Sequence, residues 1–185
     1  MKTRAIFFGM AIVLLSFSSC QKIKDSLTVK VPVEFTSDMQ VQASELKSSA
    51  LFYNFQATAT LNPSTNATVI KYKQKIKSIT ANGMSYTPTG LTGDVKIWAA
   101  VLQIAGSNSA GNPIIINWNI NNVTLKNGVK VTLPNPVTGA FSDISTLLDG
   151  TSDINIVWSG TQNVPVIKYT FTTTLEAEVL AYLIK

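Results

Sequence analysis

Apolar and polar residues alternate with a period of two along most of this chain after residue 26. Leu27, Val29, Val31, Val33, Phe35, Met39 and Val41 share one parity; Thr28, Lys30, Pro32, Glu34, Thr36, Asp38 and Gln40 share the other. That alternation marks a strand with one face on a core and one in water. Pro32 has no amide to donate, which places this run at a sheet edge or a bulge. Leu51, Tyr53, Phe55, Ala57, Ala59 and Leu61 repeat the pattern until Asn62-Pro63-Ser64 ends it. The last stretch repeats it through Ile167, Tyr169, Phe171, Leu175, Ala177, Val179, Ala181 and Leu183. The first and last runs exceed the usual strand of about 5–6 residues and would each extend roughly 50 Å. Runs that long are expected to bend or bulge and to pass between two sheets. Their matching patterns suggest that they pair.

Between them lie shorter segments. Asn66 to Gln74 fits either a short helix capped at Asn66 or the start of a strand. Ile76–Ile79 and Met84–Thr87 read as strand pieces around Asn82-Gly83. Asp94 to Ala105 is apolar on both parities, with Val95, Ile97 and Val101 on one and Trp98, Leu102 and Ile104 on the other, which predicts a central strand. After a loop from Ser107 to Pro113, Ile114, Ile116, Trp118 and Ile120 alternate with Ile115, Asn117, Asn119 and Asn121. Asn127-Gly128 is the strongest hairpin signal in the chain and leads to Val129, Val131 and Leu133. Pro134-Asn135-Pro136 breaks the sheet pattern. Phe141, Ile144, Leu147 and Leu148 have helical spacing, with Gly150 as a C-terminal cap. Ile154, Ile156 and Trp158 form a further strand. The expected fold is all-β: an antiparallel two-sheet β-sandwich, residues 27–185, with long bent strands and one or two short helices.

Composition removes whole classes of chemistry. The 185-residue chain has no histidine, and its one arginine is Arg4. It therefore has no imidazole base, no Ser-His triad and no histidine metal ligand. Past Arg4 it has no bidentate fork for phosphate or guanine, and no basic cluster interleaved with aromatics, so no nucleic-acid partner is expected. No motif calls for a cofactor or a metal, and the chain reads as no enzyme. Cys20 is the only cysteine, which rules out an internal disulfide, and stability must come from the core.

The first nineteen residues have the three parts of an export signal: Lys2 and Arg4, an uncharged apolar run from Ala5 to Leu15, then Ser16-Phe17-Ser18-Ser19 before Cys20. The apolar run is short for a transmembrane helix of about 20 residues. This arrangement resembles the signal peptide and lipobox of a bacterial, Bacteroides-type lipoprotein. Phe17 departs from the leucine commonest at that position. The resemblance implies cleavage after residue 19, acylation of the Cys20 sulfur and a lipidated tether over residues 20–26. It implies an outer-membrane address, since Gln21 replaces the aspartate that retains lipoproteins at the inner membrane. The run Gln21-Lys22-Ile23-Lys24-Asp25 has one acid, so periplasmic face and cell surface both stay open. Asp25-Ser26-Leu27 is similar to the O-glycosylation motif of the same exported proteins. The domain behind the tether resembles β-sandwich envelope lipoproteins without an assigned activity. Without Lys2 and Arg4, thirteen basic residues face ten acids, a net charge of +3.

Three groups of residues are candidates for contact. Lys71, Lys73, Lys75 and Lys77 share one parity, and on a strand would form a stripe. That stripe either meets an anionic lipid or glycan surface or is a solvated, aggregation-blocking face. Trp118 with Asn117, Asn119 and Asn121 offers a ring and amides to a sugar, or else a buried ring beside a solvated face. Asp143, Asp149 and Asp153 surround the predicted helix without EF-hand spacing, and Glu176 and Glu178 lie two apart as solvent-facing charge. The expected function is a non-enzymatic, membrane-anchored binding or structural module of the cell envelope, with an envelope protein or glycan as partner. The alternatives are a carrier or sensor of an apolar ligand, or a carbohydrate-binding lipoprotein.

Overall fold

A computed structural model of the chain describes residues 27–43, 52–150, 152–164 and 168–183. The expected signal peptide, Cys20 and the tether lie outside the described residues. Eight strands form: β1 (Thr28–Ala43), β2 (Tyr53–Leu61), β3 (Ile76–Thr89), β4 (Val95–Ser107), β5 (Pro113–Leu125), β6 (Val131–Leu133), β7 (Ile154–Gln162) and β8 (Lys168–Tyr182). A 3-10 turn (Pro63–Thr65) and helix α1 (Ala67–Tyr72) follow β2, and helix α2 (Ala140–Asp149) follows β6. One antiparallel sheet runs β1-β8-β3-β6 and the other β2-β7-β4-β5. Among the described residues they are joined where Gln42 and Ala43 pair with Gln56 and Phe55. Strands thus pair 1 with 8, 2 with 7, 3 with 6 and 4 with 5, as in one long hairpin wrapped into two layers. That is the strand order of a jelly roll, an all-β sandwich.

The two long runs do pair, in an unbroken register from Thr28↔Tyr182 to Gln42↔Lys168. No bulge interrupts that register; β1 passes to the other sheet at Gln42 and Ala43, as expected, whereas β8 pairs within one sheet. The irregularity falls on β3, whose register against β8 slips between Ile76 and Ser78 and again between Ala81 and Gly83. Asn82-Gly83 is therefore a bulge inside one continuous strand rather than a break between two. From Thr28 to Val41, β8 is the partner of β1 among the described residues, so Pro32 stands on an edge strand as its chemistry requires.

β4 is an interior strand, between β5 and β7. Its two-faced apolar pattern has another cause than two-sided burial. Val95, Ile97, Ala100, Leu102 and Ile104 are all buried, so the inward parity switches near Trp98. There the register against β7 slips by one. β5 switches too, from Ile116, Trp118 and Ile120 to Leu125, across Asn122 with φ +53°. Gly160 permits this crowding, because a β-carbon there would overlap the Ala99 carbonyl oxygen and lie 2.7 Å from Ala100 Cα.

Asn127-Gly128 does turn, with Gly128 at φ +71°, but it makes no hairpin. β5 and β6 belong to opposite sheets, and the turn carries the chain across the open end of the sandwich. The Gly128 amide bonds the Pro88 carbonyl at 2.7 Å, and Asn127 Oδ1 accepts from Leu91 N at 3.0 Å, so the turn is held by the β3 end rather than by its own strands.

α2 forms where the spacing predicts it and buries Ala140, Ile144, Leu147 and Leu148. It also completes a sheet edge. β6 covers β3 only from Met84 to Tyr86. Earlier on β3, the Ile79 amide donates to Asp149 Oδ1 at 2.7 Å and the Ala81 amide to Ser145 Oγ at 2.9 Å. Burial pushes the Asp149 carboxyl pKa up from its ordinary value, against the Ile79 hydrogen bond, which favours the charged form.

Gly160→Ala is expected to destabilise the fold by about 1–3 kcal/mol, since the clash is with backbone that has no room to move. Chemical denaturation checks this; unchanged stability would show that the β4–β7 contact relaxes freely. Asp149→Ala is expected to cost about 1 kcal/mol or more and to speed hydrogen exchange at the Ile79 amide while sparing Leu175.

Candidate functional site

Trp118 is 2% exposed, and its indole N–H donates to the Pro134 carbonyl at 2.8 Å. A ring so placed cannot stack on a sugar, so the carbohydrate expectation for Trp118 is corrected. The reason is parity: Trp118 shares the inner face with Ile116 and Ile120. Asn117, Asn119 and Asn121 are exposed on the outer face of the same strand. Asn117 accepts from Gln103 Nε2 across the β4–β5 pair at 3.0 Å. These residues border a groove of about 520 Å³ between β5 and the segment from Val131 to Val137. Trp118, Ile120, Val123, Leu133 and Tyr86 line it, and no charged residue does. The Tyr86 hydroxyl is buried and has no hydrogen-bond partner among the described residues.

The four lysines do not form a strand stripe. Lys71 lies in α1, Lys73 is its C-cap, Lys75 is in the following turn, and only Lys77 is on β3. Of the two readings of this segment the helix is the one that forms. Asn66 caps it, accepting from Thr68 N at 2.9 Å, and donates through Nδ2 to the Glu34 carbonyl of β1. Helical spacing turns Lys71, Lys73 and Lys75 away from a common line, yet all four stay at one end of the sandwich. Lys73 and Lys77 border a crevice of about 380 Å³ lined by Pro63, Val69, Ile76, Ile79 and Leu148, with Asp149 and Ser64 at its polar side.

Other groups resolve into structural contacts. Asp153 Oδ1 accepts from Asn62 Nδ2 at 2.7 Å, and Asp149 serves the Ile79 amide. Among the described residues no three Cys, Asp or Glu side chains converge as metal ligands. Glu176 pairs with Lys130 at 2.7 Å and Glu178 with Lys30 at 2.9 Å, both on the outer face of the β1-β8-β3-β6 sheet. The hydrogen bond from Lys130 to Glu176 raises the lysine pKa.

Two features escaped the sequence. Trp98 is the tryptophan that reaches the surface, with Lys96 Nζ 3.7 Å from its ring centroid and Phe52 edge-on at 5.5 Å. Its outward position follows from the register slip, which periodicity does not reveal. Exposed Leu27, Ile70 and Leu183 belong to the lysine-bearing end, and pairing of the terminal strands was the signal that brings the first and last of them together.

Burial pushes the Tyr86 phenol up to about 12 and raises Tyr169 as well. Tyr169 donates to Gln162 Oε1 at 2.9 Å, and both residues are buried. In the unfolded chain both phenols ionise near their ordinary value of about 10. Stability is therefore expected to be level up to about pH 10 and to fall as pH rises from there toward 12, because the unfolded state loses its protons first. Tyr86→Phe should flatten part of that fall. Denaturation midpoints measured across this range check it; an equal fall in Tyr86→Phe would place the effect elsewhere.

No protein-family model matches the chain, and no curated protein matches it in sequence. Among solved structures it is similar to the BFDV capsid protein in its decameric form, at a TM-score of 0.43 and 10% identity over 82% of this chain and 99% of that one. It is also similar to Desmodium yellow mottle tymovirus, at 0.33 and 11% over 84% and 91%. Turnip yellow mosaic virus follows at 0.32 and 12% over 83% and 97%. The jelly-roll assignment rests on this chain's own strand order.

Proposed function

We propose that this chain is a non-enzymatic lipoprotein of the cell envelope, held at the outer membrane through acyl chains on Cys20 and acting as a binding or structural module. The observation that carries this reading is the setting of the only cysteine. It follows a charged, apolar and small-residue series and stands seven residues before Leu27, where the described sandwich begins. Several acyl chains on one terminus hold firmly, at about 0.8 kcal/mol for each buried methylene. The absence of histidine, and of arginine beyond Arg4, supports a binding role over catalysis. The expected result is that cells fed an alkyne fatty acid label the wild-type protein in the membrane fraction, and that Cys20→Ser abolishes both label and membrane retention. Equal labelling of Cys20→Ser would overturn the reading.

The β5 groove favours a second reading, a carrier or sensor of an apolar ligand. Its lining is uncharged and largely apolar, and the unpartnered Tyr86 hydroxyl offers one donor to a neutral molecule with a single acceptor. Val123→Trp is expected to fill the groove and abolish binding of a neutral environment-sensitive dye. A wild-type protein that binds no such dye would remove this reading and leave the tethered module.

A further inference from the structure

The lysine-bearing end of the sandwich is also the end at which the chain enters it. β1 begins at Thr28 opposite Tyr182, and Ile76 at the start of β3 pairs with Ala181. The Leu183 amide bonds the Leu27 carbonyl at 2.9 Å, the Tyr182 amide bonds the Lys75 carbonyl at 2.8 Å, and Lys75 Nζ reaches the Leu183 carbonyl at 3.4 Å. Leu27 and Lys75 are therefore neighbours through Leu183. Three exposed aliphatic side chains belong to this end: Leu27 at 41%, Ile70 at 56% and Leu183 at 51%. Around them are Lys71, Lys73, Lys75 and Lys77. No aspartate or glutamate occurs between Leu46 and Gly93. The carboxylates at this end are engaged: Asp149 by the Ile79 amide, Asp153 by Asn62, and Glu178, opposite Thr80 on β3, by Lys30.

We infer that this end is a seat on an anionic bilayer surface, with Lys71, Lys73, Lys75 and Lys77 over the headgroups and Leu27, Ile70 and Leu183 against the interface. The inference rests on the lipoprotein reading for its geometry. From Cys20 to Leu27 is seven residues, at most about 25 Å of extended chain. The β1–β8 ladder is itself about 50 Å long at about 3.3 Å per residue, so the tether keeps this end and not the opposite one beside the lipid. Exposed aliphatics at the same end as several lysines are the chemistry of an interfacial contact, and a lysine near an anionic surface contributes about 1 kcal/mol. The seat leaves the β5 groove and the turn at Asn127-Gly128 free to meet a partner.

The test uses the unacylated mature chain, Cys20→Ser, and vesicles of phosphatidylcholine with or without phosphatidylglycerol. Selective binding to the anionic vesicles is expected, weakening as salt rises. The quadruple Lys→Glu variant at 71, 73, 75 and 77 should bind more than about 100-fold more weakly, at about fivefold for each charge removed. The milder quadruple Lys→Gln should lose affinity in the same direction with folding checked by circular dichroism. Ile70→Ser should weaken binding while leaving its salt dependence intact. Lys126→Glu with Lys168→Glu, at the opposite end, should change little. An equal loss from that pair, or retention by acidic polysaccharide with none by vesicles, overturns the inference. Acylation of Cys20 in cells is read separately: labelling without selective vesicle binding removes the seat and keeps the tether, and selective binding without labelling removes the tether that orients it.

Discussion

The Trp158 ring holds the two sheets to one another. It projects from β7 into the centre of the core, 4.5 Å from the Phe171 ring of β8 and 5.0 Å from the Tyr86 ring of β3, and stacks at 6.4 Å on Phe55 of its own sheet. Tyr169 and Phe171 continue the cluster edge to face along β8. Each such ring removes a large area from water, and favourable aromatic pairing adds about 0.5–1.5 kcal/mol per pair. A chain with no internal disulfide has no covalent tie between its layers, so this cluster carries the registration that a cross-link would otherwise supply. Two residues on from Trp158, Gly160 lets β4 come close enough to slip its register, and the slip decides which of the β4 and β5 side chains face Trp158. The outward turn of Trp98 follows from that one crowded point.

Edges are handled by different means around the sandwich. β1 carries Pro32 and the charges of Lys30, Glu34 and Asp38, which oppose pairing with another chain. β3 is closed by β6 for three residues and by the side chains of α2 beyond it. β5 has less: thirteen residues, none charged, with Pro113 at its first position, Asn122 at φ +53° and Ile115 61% exposed. Its inner side borders the uncharged groove. An uncharged edge beside an apolar groove is a part of this surface where the protection that charge gives against association is missing.

The strands were legible in the sequence wherever one parity stayed buried from end to end, as on β1, β2 and β8. Pairing of the terminal strands was legible too, because two runs of similar length and matching pattern have few other partners. Legibility failed where a local backbone feature changed the parity or direction of the chain. Asn82-Gly83 has turn chemistry but sits in a bulge, because β8 continues past it as a template. Asn127-Gly128 has hairpin chemistry but joins opposite sheets, because its hydrogen bonds go to Pro88 and Leu91. The lysine segment has both a spacing of two, the strand period, and a helix cap at Asn66, and the cap decides it in favour of the helix. Their closeness to Leu27 was hidden for a different reason: it arises from contacts between residues about a hundred positions apart, Lys75 with Tyr182 and Leu183.

Net charge describes this molecule poorly. A surplus of +5 on the chain, or +3 without Lys2 and Arg4, is too mild to imply any partner, but its distribution is uneven. On the outer face of the β1-β8-β3-β6 sheet, Lys30 and Lys130 are each neutralised by a glutamate. Around α1 the lysines stand in a stretch of 48 residues without an acid, beside three exposed aliphatic side chains. The type of cation also matters. Arginine forks suit a fixed phosphate or carboxylate, whereas lysine is a hydrated point charge on a flexible stem. Point charges on flexible stems match a fluid surface whose headgroups have no fixed positions. The lack of arginine past Arg4 therefore does not argue against the proposed contact with lipid.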